Sequence, residues 1–246
     1  MKIHTVILAA GEGSRMLSNK AKSLQPLGGH SMLQRIYSTV KDISSETTFV
    51  VGYEKNAIIA ETKSFDGTIH IAEQKKAIGT SDAVKSALPS ITKPCNVLVL
   101  YGDVPLIKQD TLEKLITETK DGLTILSTIM DSPHGYGRVK KDNEGYAQAI
   151  VEEKDASDSE KQIKEVFTGI LCCEKELLED AINEVGNDNA AGEYYLTDIV
   201  SIISSKGYKI NTCVVSNNEV KGANTKTELS ELEEIYRKMN AEDLLQ

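Results

Sequence analysis

A glycine loop and two basic side chains follow the first apolar run of the chain. Gly11 begins the loop, Arg15 lies inside it, and Lys22 comes a few residues later. Glycine lets the backbone approach an anion closely, and consecutive N–H groups can then cradle a phosphate. Arg15 would add a fixed bidentate charge and Lys22 a mobile one. The loop follows neither the dinucleotide nor the P-loop pattern, so a plain tight turn remains the alternative.

An aspartate stands just beyond the strongly apolar run 96–101, which predicts a buried strand. A carboxylate there suits Mg²⁺, which takes one or two carboxylates together with substrate phosphates. The alternative is that Asp103 is a turn residue that caps the next helix. Asn224, far along the chain, offers a neutral oxygen ligand, although its own surroundings favour an N-cap of the last helix.

Three residues that follow the predicted strand 68–72 suit a nucleobase. Gln74 offers both a donor and an acceptor to a base edge. Gly79 permits close approach of a ligand, and Thr80 comes just before a predicted helix. Capping of that helix is the alternative role for Thr80.

Two adjacent carboxylates on a later predicted strand suit a sugar. Glu152 and Glu153 point to opposite faces of the strand, so only one can face a pocket. We choose Glu152, because carboxylates often bond sugar hydroxyls, and we interpret 153–155 as a solvated charge run.

The elements that must position these residues alternate between strand and helix up to residue 120. Strands are predicted at 3–10, 47–51, 68–72 and 96–101, and helices at 32–40, 57–62, 81–88 and 111–119. This alternation predicts an α/β fold with a mostly parallel, doubly wound, Rossmann-like sheet that binds ligands beyond the carboxyl ends of its strands. Strands then dominate at 123–172, which predicts a β-rich insertion over that edge.

Composition limits the partners. The chain has 246 residues and a net charge of -9 without a basic stripe, so we expect no nucleic-acid partner. Its four cysteines form no C-x-x-C pair, which argues against a zinc site. The sequence shows no signal peptide and no apolar stretch of membrane-spanning length. We therefore expect no membrane partner and a cytoplasmic location.

Nine features occur in a specific order along the chain: LAAGEGSRM, Lys22, EQ…GT, LYGDVPL, GYGR, EEKDA, TGI, GEYYLTD and GAN. Together they resemble the uridylyltransferase domain of the bifunctional bacterial UDP-N-acetylglucosamine pyrophosphorylase / glucosamine-1-phosphate N-acetyltransferase family. The resemblance implies a nucleotide-diphospho-sugar transferase fold, with a nucleotidyltransferase domain at 1–225 and a C-terminal helix at 226–246. It also implies Mg²⁺-dependent transfer of uridylate from UTP to a sugar 1-phosphate, with N-acetylglucosamine 1-phosphate expected, and release of pyrophosphate.

The resemblance also assigns roles to residues. It implies that Arg15 and Lys22 are the catalytic cations and that Asp103 and Asn224 hold the metal. The implied substrate-binding residues are Leu8, Ala9, Ala10, Gly11, Gln74, Gly79, Thr80, Tyr101, Gly102, Gly137, Glu152 and Phe167.

Three positions depart from the family pattern. Ala21 replaces a usual proline, Glu12 replaces a common lysine, and Phe167 replaces the asparagine expected to contact the sugar. The identity of the sugar therefore stays open. The family's hexapeptide-repeat half is missing from this sequence, so acetyl transfer is not expected of it. The alternatives are a cytidylyltransferase acting on a polyol phosphate, a glycosyltransferase of similar fold, and a nucleotide-sugar-binding protein with little turnover.

Overall fold

The structure is a computed structural model that describes residues 2–13, 16, 18, 20–120 and 122–243. The predicted site residue Arg15 lies outside these ranges. Within them the strands are β1 (Ile3–Leu8), β2 (Pro26–Leu27), β3 (His30–Ser31), β4 (Glu46–Val51), β5 (Ile69–Glu73), β6 (Asn96–Tyr101), β7 (Leu123–Ile129), β8 (Arg138–Lys141), β9 (Ala147–Val151), β10 (Glu165–Glu174) and β11 (Asn211–Val215). The α-helices are α1 (Met32–Val40), α2 (Lys55–Thr62), α3 (Thr80–Ala87), α4 (Gln109–Thr119), α5 (Lys175–Glu184), α6 (Asp198–Ser205), α7 (Asn217–Val220) and α8 (Lys226–Asp243).

The central sheet runs in the order β11-β7-β10-β6-β1-β4-β5. Strands β6, β1, β4 and β5 are parallel to their neighbours within that group, and β7 is parallel to β11. Strand β10 is antiparallel to both β6 and β7. Strand β1 is buried along its whole length, as expected of a strand covered on both faces. The predicted mostly parallel sheet is confirmed.

Two layers of helices cover the sheet. Helices α3, α5 and α6 pack in one apolar cluster that includes Val6 and Val99. Helices α1, α2 and α4 pack in a second cluster that includes Ile7 and Leu98. Because neighbouring residues of a strand point to opposite faces, β1 and β6 contribute to both clusters. This is the doubly wound arrangement that the alternation of elements predicts.

The β-rich segment divides between the sheet and a side hairpin. Strands β7 and β10 belong to the central sheet, while β8 and β9 pair with each other and branch from β10 at Val166–Arg138. The insertion is therefore this hairpin, and the predicted strands 123–129 and 166–172 lie outside it. Strand β10 shifts register between Phe167 and Leu171, where Gly169 has a φ of 87°.

Helix α8 packs beside the short hairpin β2–β3, which the sequence did not predict. Leu27 and Leu232 are fully buried in a small apolar cluster there. The backbone N–H of Gly28 donates to the Glu233 carboxylate at 2.8 Å, and the Arg35 guanidinium lies 4.0 Å from the centre of the Tyr236 ring. The division at residue 225 stays a prediction. No helix in the described ranges is long and apolar enough to cross a membrane.

Candidate active site

Two adjoining cavities lie over the carboxyl edge of the sheet, with volumes of about 360 Å³ and 500 Å³. Both are lined by Thr80, Tyr101 and Asp103. The predicted residues that line only the first cavity are Leu8, Ala9, Ala10, Gly11, Lys22, Gln74, Gly79 and Gly102. Those that line only the second are Gly137, Glu152, Phe167 and Asn224. The fold thus brings together every predicted site residue within the described ranges.

Lys22 joins the two predicted metal ligands where the cavities meet. Its ammonium group donates to Asn224 Oδ1 at 2.6 Å and forms an ion pair with Asp103 Oδ2. The side chains of Lys22 and Asp103 are only 15% and 20% exposed, which limits solvent screening of the pair. A carboxylate oxygen and an amide oxygen therefore converge on one cation.

Other residues stand at the N-cap positions of the helices that follow the two predicted metal ligands. Helix α4 begins at Gln109, well beyond Asp103. At the start of α8, Thr225 Oγ1 accepts from the Glu228 N–H at 3.1 Å, and the Glu228 carboxylate accepts from the Asn224 N–H at 2.5 Å. Thr225 and Glu228 thus form a capping arrangement. The N-cap interpretation favoured from the string around Asn224 is wrong, because Thr225 has that role.

The donor set fits a hard divalent cation. Asp103 and Asn224 supply oxygen atoms of the types that Mg²⁺ prefers, and their convergence on the Lys22 ammonium shows that one cation can contact both. Among the described residues no group of three or more His, Cys, Asp or Glu side chains could hold a metal ion. An ion here would therefore need substrate oxygens or water to complete its coordination.

Gln74 lines the first cavity with its side chain almost fully buried. Its amide nitrogen donates to the Gly79 carbonyl at 2.9 Å and to Asp82 Oδ2 at 3.0 Å. Asp82 lies in the first turn of α3, and sequence reasoning overlooked it. The sequence did carry a signal for this contact. Asp82 follows the candidate base-binding amide of Gln74 by eight residues, and the turn at Gly79 lies between them.

The loop at Gly79 is held against a second segment of the chain. Gly79 is the N-cap of α3 with a φ of 139°, so Thr80 does not cap that helix. Thr80 Oγ1 instead accepts from the Leu196 N–H at 2.9 Å. The backbone of Tyr194 bonds Ile78 and Ser81 through two contacts of 2.9 Å. The GEYYLTD string therefore clamps this loop, and Tyr194 acts through its backbone as well as by packing.

Tyr101 lines both cavities. Burial raises its pKa far above the usual value, although a hydrogen bond with Thr80 acts in the opposite direction. A Cβ atom at Gly169 would lie 2.5 Å from Tyr101 Cε2, so glycine is needed beside the ring.

The second cavity holds the predicted sugar residues. Glu152 Oε1 accepts from Thr197 Oγ1 at 3.0 Å, and burial raises the pKa of Glu152 above its ordinary value. A Cβ atom at Gly137 would lie 2.6 Å from Ile150 Cγ2, so this position also needs glycine. Phe167 lines the cavity but is only 5% exposed and belongs to the main apolar cluster.

Glu153 is bound to a buried arginine. Arg138 is 2% exposed, and its Nη2 lies 2.5 Å from Glu153 Oε2. This hydrogen bond holds the pKa of Glu153 below its usual value. The interpretation of 153–155 as a solvated charge run is therefore wrong at Glu153, which neutralises a charge that would be costly to bury alone.

A doubly wound sheet with two adjoining cavities at the carboxyl ends of its strands is the arrangement in which open α/β folds bind ligands. Residues 5–136, more than half of the chain, match the family described as MobA-like NTP transferase domain. The chain belongs to this family.

Curated relatives resemble the whole chain. It is 43% identical over 247 residues to the bifunctional protein GlmU of Francisella philomiragia, with 100% of this chain and 54% of the relative covered. It is 41% identical over 246 residues to that of Marinobacter nauticus, with 99% and 54% covered. The chain thus spans about half the length of these relatives. The resemblance seen in the sequence motifs is confirmed.

A solved structure shares the fold. It is described as a glucose-1-phosphate thymidylyltransferase from Bacillus anthracis in complex with sucrose. The TM-score is 0.77, with 96% of this chain and 95% of that chain covered at 20% identity. The predicted nucleotidyltransferase fold class is confirmed.

Proposed function

We propose that this protein transfers a uridylyl group from UTP to a sugar 1-phosphate and releases pyrophosphate. One observation carries the proposal: a cavity lined by Gly11 and the Gln74 amide adjoins a second cavity lined by Gly137 and Glu152, and Asp103 is among the residues that line both. An in-line transfer needs the nucleotide α-phosphate and the acceptor phosphate at one point. N-acetylglucosamine 1-phosphate is the proposed acceptor, and the likeness to GlmU proteins supports it.

The phosphate site works by charge. The loop Leu8–Gly11 faces the triphosphate, and Lys22 and Arg15 stabilise negative charge on the transferred and leaving groups. Asp103 and Asn224 would hold Mg²⁺, and the bound ion would supply positive charge to neutralise the phosphates. Because the acceptor phosphate oxygen is already ionised, no general base is required.

The organic groups occupy the two cavities. Gln74, Gly79 and Thr80 bind the uracil in the first cavity, beside Tyr101 and Gly102. In the second, Gly137 and Glu152 bind the sugar. The asparagine expected at position 167 would bond a sugar hydroxyl through its amide. Phe167 has no amide, so it cannot bond that hydroxyl.

A pyrophosphate-release assay tests the proposal. The purified chain is incubated with Mg²⁺ and with UTP, dTTP, CTP or ATP, each against N-acetylglucosamine 1-phosphate, glucose 1-phosphate and a polyol phosphate. We expect the fastest release with UTP and N-acetylglucosamine 1-phosphate, and none after chelation of the metal. Asp103→Asn should lose about 10²–10³ in kcat, on the scale of removing one charge-stabilising group, while circular dichroism stays unchanged. A preference for CTP with a polyol phosphate, or full turnover by folded Asp103→Asn, would contradict the proposal.

A further inference from the structure

The side-chain amide of Gln74 can adopt only one orientation in this loop. Its nitrogen faces two acceptors, the Gly79 carbonyl oxygen at 2.9 Å and Asp82 Oδ2 at 3.0 Å. An amide NH₂ group carries two hydrogens, and here each has its own acceptor. The flipped amide would instead place its oxygen against two oxygens, one of them on a carboxylate. Gln74 is 8% exposed, so water does not readily relieve that repulsion.

The fixed orientation determines what Gln74 offers a ligand. With both hydrogens engaged, the carbonyl oxygen is the amide atom that remains for a group in the first cavity, which Gln74 lines. That oxygen can only accept a hydrogen bond. Uracil and thymine carry a hydrogen on N3, whereas cytosine presents a lone pair there. An N3–H base can therefore pair with this oxygen, and cytosine would face it with another acceptor.

We infer that Asp82 is a positioning residue that fixes the Gln74 amide and thereby makes the first cavity select pyrimidines with an N3–H over cytosine. The inference rests on the proposed function and names the origin of its base choice. With the Gly79 carbonyl as its one acceptor, the amide group would keep only one of the two hydrogen bonds that oppose its rotation about χ3. The carboxylate of Asp82 supplies the second bond and makes it a strong one, because hydrogen bonds to ionised acceptors are the stronger ones.

A merely structural role for Asp82 predicts something different. An acid in the first turn of α3 stabilises the helix through its dipole, and its loss would lower stability without changing base choice. Asp110 is likewise an acid in the first turn of its helix, α4, where it is exposed. Asp110→Ala is therefore the matched control for removing a first-turn acid.

The test compares Asp82→Ala, Asp82→Asn and Asp110→Ala with the unaltered chain. Two ratios are measured for each protein: kcat/KM for UTP against CTP with N-acetylglucosamine 1-phosphate, and the association constant (1/Kd) for UTP against CTP by calorimetry without sugar. We expect Asp82→Ala to lower both ratios about tenfold or more, the scale of one buried hydrogen bond. Asp82→Asn should keep them close to those of the unaltered chain, since its amide oxygen can accept the same bond. Asp110→Ala should leave them unchanged.

Asp82→Ala with lower thermal stability but unchanged ratios would overturn the inference. If Asp82→Ala does not fold, Asp82→Glu replaces it, because Glu keeps the first-turn charge but displaces the carboxylate by one methylene, and the same fall is expected. Failure of the proposed function is separable: the unaltered chain would then release no pyrophosphate, while the calorimetric ratios would still support or overturn the role of Asp82.

Discussion

Replacing Lys22 should strengthen metal binding to the empty enzyme while it destroys turnover. The Lys22 ammonium contacts both Asp103 and Asn224, which are the proposed metal ligands. A metal ion and this ammonium group cannot occupy the same point. In the absence of nucleotide, Lys22 therefore competes with the metal, and Lys22→Met should remove the competitor with little change in side-chain length.

The magnitude follows from the two contacts. Hydrogen bonds to charged groups contribute about 1.5–3 kcal/mol, and about 1.4 kcal/mol is a factor of ten in affinity. The contact with Asp103 is charged on both sides and mostly shielded from water, whereas that with Asn224 is charged on one side. Allowing for the remaining exposure of both side chains, we expect the metal Kd to fall about tenfold or more in Lys22→Met.

Binding of Mn²⁺, followed by water-proton relaxation without nucleotide, measures this Kd. Lys55→Met is the control, because Lys55 also forms an ion pair but is remote from Asp103 in the chain. Its ammonium group lies 2.8 Å from Glu73, and the two side chains are 43% and 46% exposed. Lys55→Met should leave the Kd unchanged. Equal or weaker Mn²⁺ binding by a folded Lys22→Met protein would refute the competition between Lys22 and the metal.

Two other substitutions test the loop and the sheet. Gly79→Ala should lower both stability in urea unfolding and UTP affinity in calorimetry, because its Cβ would lie 2.5 Å from the Tyr194 nitrogen at a φ of 139°. Gly186→Ala is the control, since its Cβ would meet nothing within 4 Å, and it should leave both quantities unchanged. Burial lowers the pKa of His4 from 6.5 to about 4, so the unfolded chain binds the proton first and stability should fall between about pH 6.5 and 4. The loss of stability is at most about 3–4 kcal/mol, and urea unfolding across this range should show a shallower fall in stability for His4→Gln.

The sequence predicted the parts of the fold that depend on local patterns. Apolar runs such as Asn96–Tyr101 predicted buried strands, and the residues after them met at one edge because parallel strands end there together. The antiparallel entry of β10 between β6 and β7 could not be predicted, since a buried run carries no signal of strand direction. The hairpin β2–β3 was missed because its strands have two residues each.

The candidate site shows the same limit at the level of single residues. Asn224 resembled a helix cap from its neighbours, and only the tertiary fold places it on Lys22, 202 residues away in the chain. Glu153 resembled a solvated charge until the pairing of β8 with β9 brought it to Arg138. Asp82 was overlooked altogether. Each role depends on a partner that local sequence does not specify, whereas the glycine loop and Asp103 could be recognised from their own strings.

Phe167 offers the sharpest test of the sugar site. The residue lines the second cavity and also packs in the main apolar cluster, with 5% of its surface exposed. Phe167→Asn should therefore have two effects. Loss of the buried ring should lower the free energy of unfolding by about 3–5 kcal/mol, as for other large-to-small core changes. The new amide should also raise kcat/KM for N-acetylglucosamine 1-phosphate relative to glucose 1-phosphate, since it can bond a hydroxyl that phenylalanine leaves without a partner.

Phe167→Leu separates the two effects. Leucine keeps the position apolar and offers no hydrogen bond, so it should lower stability to a smaller degree and leave the ratio of sugar specificities unchanged. Both variants are compared by urea unfolding and by pyrophosphate release at a temperature where each is folded. A folded Phe167→Asn protein whose sugar preference equals that of Phe167→Leu would show that the residue serves the core alone. The sugar hydroxyl would then be bound by other groups of the second cavity, among which Glu152, bonded to Thr197 at 3.0 Å, is the next to replace.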